Sequence, residues 1–291
     1  MLLMIKNKVY SMNDNIQLIK GDCLVEMQKI PDKSIDMILC DLPYEVLHKN
    51  NPNTKWDRKI PFDKLWEQYN RVIKDNGAIV LFAQGMFTAE LMMSNPKMWR
   101  YNLVWDKCRV TGFLNANRMP MRCHEDICVF YKSLPTYNPQ FEIGNQPNHS
   151  RGTGAHKETN NCYGKYKSGR TYDYDKQIKK VAPTHPNEKF PKSIISIKKE
   201  HETKVYHPTQ KPVALLEYLI NTYSNEGETI LDNCAGSFST AIAAINTNRC
   251  FIGIEKDENY FSIGTTRVIE RVRSDIFSAN VKLIINGEIQ K

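Results

Sequence analysis

Short apolar or β-branched runs, separated by longer segments of helical periodicity, are the feature that most restricts how this chain can fold. Each run is bounded by turn residues, and we predict strands at 16–19, 35–40, 78–82, 102–105, 127–131, 229–231 and 250–254. Helices are predicted at 62–74, 87–93, 213–223, 239–246 and 258–273. Because strands alternate with helices, we predict an α/β fold with a doubly wound, mostly parallel, seven-stranded Rossmann-like sheet.

Proline and glycine mark several of the predicted helix boundaries. Pro61 and Pro212 suit helix starts, since proline lacks the N–H that a first turn leaves unpaired. Gly77 suits the end of the helix at 62–74.

The segment 140–205 departs from this alternation. It is rich in Asn, Gly, Pro, Lys and Tyr, and it contains most of the excess positive charge. The whole chain carries a net charge of +8, and residues 151–204 contain 13 Lys and Arg against 6 Asp and Glu. Such a segregated basic block is typical of a surface that binds a polyanion, the alternative being a solvated lysine-rich loop. We therefore predict three regions, at 14–139, 140–205 and 206–275.

Aromatic and basic side chains are interleaved within the basic block. Stacking rings beside cations are what a nucleic-acid surface uses, although plain surface tyrosines give the same pattern. The tyrosines concerned are Tyr163, Tyr166, Tyr172 and Tyr174. The predicted nucleic-acid-binding residues are Lys165, Lys167, Arg170, Lys179 and Lys180.

Composition excludes several other classes of protein. With 41% hydrophobic and 25% charged residues, the chain is typical of a globular protein. No stretch approaches the roughly 18–20 apolar residues of a membrane helix, and the leading MLLMI is too short for a signal-peptide core. We therefore expect a cytoplasmic protein without a membrane partner. The eight cysteines form no C-x-x-C pair, so we expect reduced core thiols and no metal site.

The first chemical motif is the tetrapeptide DLPY at 41–44. It follows the run IDMILC, so Asp41 is expected at the carboxyl end of a strand, where open α/β sheets bind ligands. The carboxylate of Asp41 could accept a hydrogen bond from an exocyclic amine, and the ring of Tyr44 could stack on a planar base. An ordinary turn is the alternative.

The second motif lies between the predicted strands at 229–231 and 250–254. Asp232 ends the first strand, and Ala235, Gly236 and Ser237 open a helix with little side-chain bulk, which allows close approach of a ligand. Glu255 ends the next strand and lies 19 residues after Gly236, near the spacing of about 20 expected for an acid that binds ribose hydroxyls. This pattern predicts a nucleoside cofactor, and the incomplete glycine signature disfavours a dinucleotide.

The third motif is YHPTQKP at 206–212, directly before a predicted helix. A cation at a helix start, here Lys211, is unfavourable unless an anionic group binds beside it. The alternative is a solvated Lys211 and a structural His207.

These motifs, in this order, resemble those of the bacterial and phage DNA amino-methyltransferases that use S-adenosylmethionine. The segments concerned are GDCL at 21–24, DLPY, HPTQKP, LDNCAGSFSTAIAA at 231–244 and FIGIEKDENYF at 251–261. The early tetrapeptide and late cofactor loop are similar to the circularly permuted β class, in which the recognition domain lies between them. The resemblance covers roughly 16–271 and implies a methyltransferase sheet with an inserted target-recognition region at 140–205.

The resemblance also implies roles for individual residues. It makes Asp41, Leu42, Pro43 and Tyr44 the catalytic residues, and an aspartate in first place is similar to the adenine-N6 enzymes. It places Asp232, Ala235 and Gly236 near the methionine part of S-adenosylmethionine, Glu255 on its ribose and Asp22 near its adenine amine. The full set of implied cofactor-binding residues is Asp22, Asp41, Lys211, Asp232, Cys234, Ala235, Gly236, Ser237 and Glu255.

Two departures from the family pattern leave alternatives open. Leu42 replaces the first proline of the tetrapeptide, and Phe238 replaces a glycine of the cofactor loop, where its bulk could crowd the ligand. The leading interpretation is a site-specific adenine-N6 methyltransferase acting on double-stranded DNA. A cytosine-N4 methyltransferase and a catalytically inactive DNA-binding relative are the alternatives. A cognate restriction enzyme and a homodimer are further expected partners.

Overall fold

The computed structural model describes residues 15–45, 57–145, 159–161, 164–166, 187–199, 206, 210–274 and 281–290. The strands of these ranges are β1 (Asn15–Lys20), β2 (Ile35–Cys40), β3 (Ile73–Ala83), β4 (Trp99–Thr111), β5 (Arg122–Phe130), β6 (Glu142–Ile143), β7 (Thr159–Asn161), β8 (Gly164–Tyr166), β9 (Glu188–Lys189), β10 (Ile194–Ser196), β11 (Thr229–Asp232), β12 (Cys250–Glu255), β13 (Lys282–Ile285) and β14 (Glu288–Ile289). The α-helices are α1 (Cys23–Glu26), α2 (Phe62–Val72), α3 (Met86–Ser94), α4 (Val213–Tyr223), α5 (Ser239–Asn246) and α6 (Glu258–Ser274).

The main sheet has ten strands in the order β10-β4-β5-β3-β2-β11-β12-β1-β13-β14. Strands β5 and β14 run antiparallel to the other eight. All seven predicted strands are present, as β1 to β5, β11 and β12, so the predicted fold class is confirmed. The additional strands β10, β13 and β14 lie at the two edges of the sheet. They are short and partly exposed, so their apolar signal is weak.

The sheet separates two apolar cores, because successive side chains of a strand point to opposite faces. In β2, Met37 and Leu39 pack on the face covered by α4, α5 and α6. Ile38 and Cys40 pack on the other face, with residues of α2 and α3. The main sheet and the helices on its two faces therefore form three layers.

Two of the three predicted helix boundaries are as expected. Pro61 and Pro212 directly precede α2 and α4. The prediction for Gly77 is wrong, because α2 ends at Val72 and Gly77 lies within β3. A Cβ atom at Gly77 would lie 2.8 Å from the carbonyl oxygen of Asp36, so glycine is needed there for the close approach of β2 and β3.

The chain forms two compact units, residues 139–191 and the remainder. The smaller unit contains the two-stranded pairs β6–β9 and β7–β8, and the rings of Phe141 and Phe190 lie 5.0 Å apart in it. It is shorter than the predicted 140–205 region. The difference arises because Ile194–Ser196 pairs with Val104–Asp106 of the main sheet.

Cysteines and membrane spans bear on the excluded classes. Cys108 and Cys123 are exposed, Cys234 is half-buried, and the other described cysteines are buried, so the expected core location fails for the first two. The described ranges contain no cluster of His, Cys, Asp or Glu with the geometry of a metal site. Among the helices of those ranges, none has the length and apolar character to cross a membrane.

Candidate active site

The carboxyl ends of β2 and β11 are neighbours at the centre of the sheet. The chain continues from β2 to β3 on one side and from β11 to β12 on the other, so these ends form the crevice at which open α/β sheets bind ligands. A cavity of about 720 Å³ lies there. Its lining includes every predicted catalytic and cofactor residue: Asp22, Asp41, Leu42, Pro43, Tyr44, Lys211, Asp232, Cys234, Ala235, Gly236, Ser237 and Glu255.

The predicted catalytic turn is fixed by packing and by its own hydrogen bond. Asp41 follows the last residue of β2, and its Oδ1 accepts a 2.7 Å hydrogen bond from the hydroxyl of Tyr44. Leu42 is buried in the core on the α2 side, which gives its apolar side chain a structural role. The ring of Tyr44 stacks on Phe87 of α3 at 4.6 Å between centroids. Tyr44 lines the cavity as well, so its ring lies between the core and the site.

Asp41 also belongs to a chain of alternating charges, in which the lysines are buried and the carboxylates half-buried. Its Oδ2 accepts a 2.5 Å hydrogen bond from Nζ of Lys211. Lys211 lies 3.2 Å from Oε2 of Glu125, whose Oε1 accepts a 3.0 Å bond from Nζ of Lys107. The ammonium of Lys211 is also 4.9 Å from the centre of the Phe82 ring. Lys211 is therefore buried and paired, and the solvated alternative is wrong.

The pKa values within this chain of charges shift in different directions. Burial raises the pKa of the Asp41 carboxyl, Glu125 adds to the rise, and Lys211 opposes it. Burial favours neutral Lys211, but Asp41 and Glu125 outweigh it and raise the pKa of that ammonium. Burial also acts on Glu125, yet the nearby Lys211 and Lys107 bring its pKa below the ordinary value. Relative to an ordinary carboxyl, protonation is therefore favoured at Asp41 and disfavoured at Glu125.

Glu125 and Lys107 were not predicted from the sequence. They lie on the antiparallel strands β5 and β4, and no short motif links them to Asp41. The available signal was the pair of acids Glu125 and Asp126 directly before the apolar run at 127–130.

The predicted cofactor loop is held between two carboxylates at strand ends. Asp232 accepts hydrogen bonds from the Thr240 hydroxyl at 2.6 Å and the Cys234 N–H at 3.1 Å. Burial raises the pKa of Asp232 to about 6. Glu255 accepts from the N–H groups of Gly236 and Asp257, both at 2.7 Å. Backbone groups thus fix the loop, and burial raises the pKa of Glu255 as well.

Phe238 lies on the core side of this loop and does not line the cavity formed by the described residues. Its backbone has a φ of +55°, a left-handed conformation, and its fully buried ring packs against Phe261 of α6 at 5.8 Å. The ring fits because its neighbours are glycines. A Cβ atom at Gly264 would lie 2.4 Å from Cδ2 of Phe238, and one at Gly253 would lie 2.6 Å from Cε1. The expected crowding of the ligand by Phe238 is therefore absent.

The segment that precedes α4 is bound to the cofactor loop. Gln210 Oε1 accepts a 2.9 Å hydrogen bond from the Ser237 hydroxyl and a 3.1 Å bond from the N–H of Tyr206. His207 lies outside the described residues, so the structure gives no account of it. This connection places Lys211 beside both halves of the cavity.

Asp22, the residue that precedes α1, lines the cavity. Its side chain caps α1 by accepting from the Leu24 N–H at 3.0 Å, and it accepts from Nζ of Lys256 at 2.9 Å. The hydrogen bond from Lys256 lowers the pKa of the Asp22 carboxyl, against a smaller effect of burial.

The predicted nucleic-acid-binding residues are mostly outside the described ranges. Lys165 lies in β8, opposite Asn160 of β7. Lys167, Arg170, Lys179 and Lys180 are not among the described residues.

A family model described as DNA methylase matches residues 35–266, which is most of the chain. The chain belongs to this DNA methylase family, as its motifs predicted. This membership confirms the predicted class of enzyme, which is a DNA methyltransferase that depends on S-adenosylmethionine.

Individual relatives are similar over most of their length. The chain is 30% identical over 271 residues to the DNA adenine methyltransferase YhdJ of Escherichia coli K12, covering 88% of this chain and 83% of that protein. It is 26% identical over 283 residues to the Type II methyltransferase M.HinfI of Haemophilus influenzae, covering 87% and 68%.

Solved structures share the fold. The cytosine-N4-specific PvuII DNA methyltransferase superimposes with a TM-score of 0.58 at 12% identity, over 97% of this chain and 100% of that one. The M1.HpyAVI complex with S-adenosylmethionine gives 0.54 at 22% identity, over 87% and 98%. At such identities the likeness establishes the fold alone.

Proposed function

We propose that the chain transfers the methyl group of S-adenosylmethionine to N6 of an adenine in DNA, at a specific sequence and after the base has left the helix. The observation that carries this proposal is the shared cavity, into which the turn at 41–44 and the loop at 233–237 both open. The adenine assignment is supported by the aspartate at position 41 and by the relative named as an adenine methyltransferase.

The residues around the cavity suit the cofactor. The cavity volume of about 720 Å³ lies within the roughly 300–1,000 Å³ range of small-molecule sites. Asp232 and Glu255 bring negative charge to it, and Ala235 and Gly236 present little bulk. S-adenosylmethionine supplies, when bound, an electrophilic methyl group on a positively charged sulfur. We assign Glu255 to the ribose hydroxyls, since each ionised oxygen can accept a further hydrogen bond.

The turn at 41–44 would hold the adenine amine. The lone pair of this amine is delocalised into the ring, so it is a poor nucleophile. If Asp41 and the carbonyl of Leu42 accept its two N–H groups, the nitrogen can become pyramidal and direct its lone pair at the methyl group. Burial raises the pKa of Asp41, which suits it to accept the proton that the amine loses.

Tyr44 would stack on the extruded base. A base within the duplex cannot reach this cavity, so it must flip out at a cost of a few kcal/mol. Tyr44 is supported from behind by Phe87, and its hydroxyl is bound to Asp41. A supported ring costs less entropy to immobilise than a free one, so stacking offsets more of the flipping cost.

The region 140–205 remains the proposed target-recognition region, and its basic composition supports this. Binding of double-stranded DNA through Lys165, Lys167, Arg170, Lys179 and Lys180 belongs to the same proposal. The cognate restriction enzyme and the homodimer stay predictions.

The decisive experiment identifies the methylated base. Polymerase-amplified, unmethylated DNA is incubated with the purified chain and S-adenosylmethionine carrying a deuterated methyl group, and the digested nucleosides are analysed by mass spectrometry. We expect deuterated N6-methyladenine, with none in the sample that lacks cofactor. Deuterated N4-methylcytosine would establish the cytosine alternative. If the chain bound the cofactor but formed no methylated base on DNA fragments covering a whole genome, it would be the catalytically inactive relative.

A further inference from the structure

Strands β4 and β5 continue beyond the cavity as an antiparallel hairpin. Its outer part, residues 109–122, comprises the end of β4, the connection at 112–121 and the first residue of β5, and is called the hairpin loop below. This hairpin loop carries an unusual set of exposed apolar side chains. Phe113 is 80% and Leu114 97% exposed at its tip. Val110, Met119 and Met121 are exposed along its flanks. Several exposed apolar side chains within one short segment indicate an interaction site, whereas single exposed apolar residues are ordinary surface.

The hairpin loop is held open by its own backbone hydrogen bonds. Gly112 adopts a φ of +89°, which starts the turn. The N–H of Asn115 donates to the carbonyl of Gly112 at 2.9 Å, and the N–H of Ala116 donates to that of Phe113 at 3.0 Å. Consecutive turns therefore present Phe113 and Leu114 to the outside, when an unstructured loop would let them fold back onto the protein.

The hairpin rises directly from the wall of the active site. Trp105 pairs with Glu125 across β4 and β5, and both residues line the cavity. The pairing continues outward to Thr111 and Arg122. Arg122 is three residues beyond Glu125, so the loop begins about 10 Å from the cavity wall. A molecule that occupies the cavity mouth would therefore meet this loop.

The charge of the hairpin selects the kind of partner. Between 107 and 124 there are four Lys and Arg residues (Lys107, Arg109, Arg118 and Arg122) and no Asp or Glu. In a dimer formed through this loop, the cations of one copy would face the same cations of the other, and their repulsion is unfavourable. A polyanion, by contrast, is attracted to them.

A further lysine extends this positive charge to the cavity. Lys199 lines the cavity, and its backbone N–H donates to the carbonyl of Lys107 at 3.2 Å. Burial lowers the pKa of the Lys199 ammonium, and the nearby Lys107, Lys211 and Arg109 lower it further, against Glu125. A bound anion would reduce the repulsion between these neighbouring cations. A phosphate of the DNA backbone has the required negative charge.

We propose that the hairpin loop enters the DNA at the target base, with Phe113 and Leu114 inserted among the bases as an apolar wedge and Arg109, Arg118 and Arg122 on the flanking phosphates. Apolar side chains inserted between base steps unstack and kink DNA, and basic side chains on phosphates position the protein without reading sequence. The wedge fills the space that the extruded adenine leaves, so the open duplex is stabilised while the adenine occupies the cavity. This inference rests on the proposed function.

The test compares two substrates that differ in how easily the base is extruded. The target sequence is first read by methylation sequencing of DNA from cells expressing the chain. One duplex carries that sequence fully paired, and the other has an abasic site opposite the target adenine. The Phe113→Ala/Leu114→Ala variant is compared with the wild type and with Ile289→Ala. Ile289 is 59% exposed on β14, at the opposite edge of the sheet, and serves as the matched control.

We expect the double variant to lose about tenfold or more in kcat/KM on the paired duplex, and less than about threefold on the abasic duplex, because the second substrate needs little unstacking. Cofactor affinity and the midpoint of thermal unfolding should match the wild type, and the control should be unaffected. Equal losses on both duplexes, or no loss on either, would overturn the wedge. If light scattering showed that the double variant differs from the wild type in oligomeric state, the loop would instead be an interface between protein chains.

The arginines give an independent readout. Arg118→Ala/Arg122→Ala should lower the salt dependence of DNA binding by about one unit of slope for each phosphate that the variant no longer binds. An unchanged slope would overturn the assignment of these arginines to phosphates. Failure of the proposed function looks different, because the wild type itself would then leave adenine unmethylated in both duplexes.

Discussion

Asp41 and Glu255 both follow parallel strands and both line the cavity, yet they are held by different kinds of partner. Glu255 accepts hydrogen bonds from two backbone N–H groups, those of Gly236 and Asp257. Asp41 accepts hydrogen bonds from two side chains, the hydroxyl of Tyr44 and the ammonium of Lys211. Backbone partners are fixed by the fold, whereas side-chain partners can rotate away.

This difference suits the two proposed ligands. A nucleoside cofactor meets a loop that is already shaped, so binding requires little further ordering. An extruded base must enter a site whose carboxylate is already bonded, and Tyr44 or Lys211 can move to admit it. We call Asp232, residues 233–237 and Glu255 the cofactor half of the site, and residues 41–44 with Lys211 the base half. We therefore expect substitutions in the cofactor half to alter the affinity for the cofactor, and substitutions in the base half to alter turnover.

The largest expected effect is that of Asp41→Asn. The amide has nearly the shape of the carboxylate, but its NH₂ group would face the donors Tyr44 or Lys211 and could not accept a proton. Methylation should fall about 10²–10⁴-fold, the usual contribution of a positioned acid or base. Single-turnover assays would measure the rate, and calorimetry should find cofactor affinity within about threefold of the wild type, since that half remains intact.

A matched control for Asp41→Asn is Asp75→Asn. Asp75 is an exposed aspartate paired with Lys33 at 2.8 Å, and it is not among the residues that line the cavity. Its replacement should leave methylation unchanged. Retention of full activity by Asp41→Asn would show that the turn at 41–44 does not carry the chemistry.

The second effect tests the packing that shapes the cofactor loop. Gly264→Ala would normally stabilise a helix by about 0.5–1 kcal/mol. Here the new Cβ would lie 2.4 Å from Phe238 and 3.0 Å from the carbonyl carbon of Ser237. We expect a loss of about 1–3 kcal/mol in the free energy of unfolding, as for other overpacked cores, measured by urea denaturation. Cofactor affinity should fall too, because the loop backbone must shift.

The same substitution should cost less in a Phe238→Ala background. The ring atom that it meets is then gone, and a double-mutant cycle would give the coupling between the two positions. Additive costs would mean that Phe238 and Gly264 do not pack as described, and that the loop is shaped by other residues.

The third effect concerns Glu255 itself. In Glu255→Gln one oxygen can still accept a backbone N–H, while the amide NH₂ faces the other donor. We expect the cofactor dissociation constant to rise about tenfold, for the loss of one charge-assisted hydrogen bond. Turnover at saturating cofactor should change less than about threefold. Glu288→Gln, on the edge strand β14, is the control, and an unaltered dissociation constant for Glu255→Gln would remove this residue from the cofactor site.

The parts of this site that follow strand ends could be predicted from the sequence. Asp41, Asp232 and Glu255 are each preceded by an apolar run, and parallel strands bring their carboxyl ends to one edge. Glu125 could not be found in this way, because its place beside Lys211 depends on the register of two antiparallel strands. That register is set by long-range pairing, for which a single sequence gives no local signal.

The direction of the Phe238 side chain was equally hidden. The bulk of the residue was visible in the sequence, and it suggested crowding of the ligand. Its left-handed backbone turns the ring into the core, where Gly253 and Gly264 leave room for it. These two glycines lie on β12 and α6, and only the packed structure shows that they face the same ring.

The smallest expected effect is a change in the pH dependence of methylation in Glu125→Gln, without a change in cofactor affinity. The negative charge of Glu125 helps to raise the pKa of Asp41. Glu125→Gln removes that charge, so the pKa of Asp41 should fall. If ionised Asp41 is the active form, methylation is lost as the pH drops through that pKa, and the acid limb of the pH–rate profile should move to lower pH in the variant. Cofactor affinity at neutral pH should stay constant, and kcat should fall only a few-fold. If the acid limb stayed in place or moved to higher pH, Glu125 would not act through Asp41. Another titrating group would then have to account for the pH dependence of methylation.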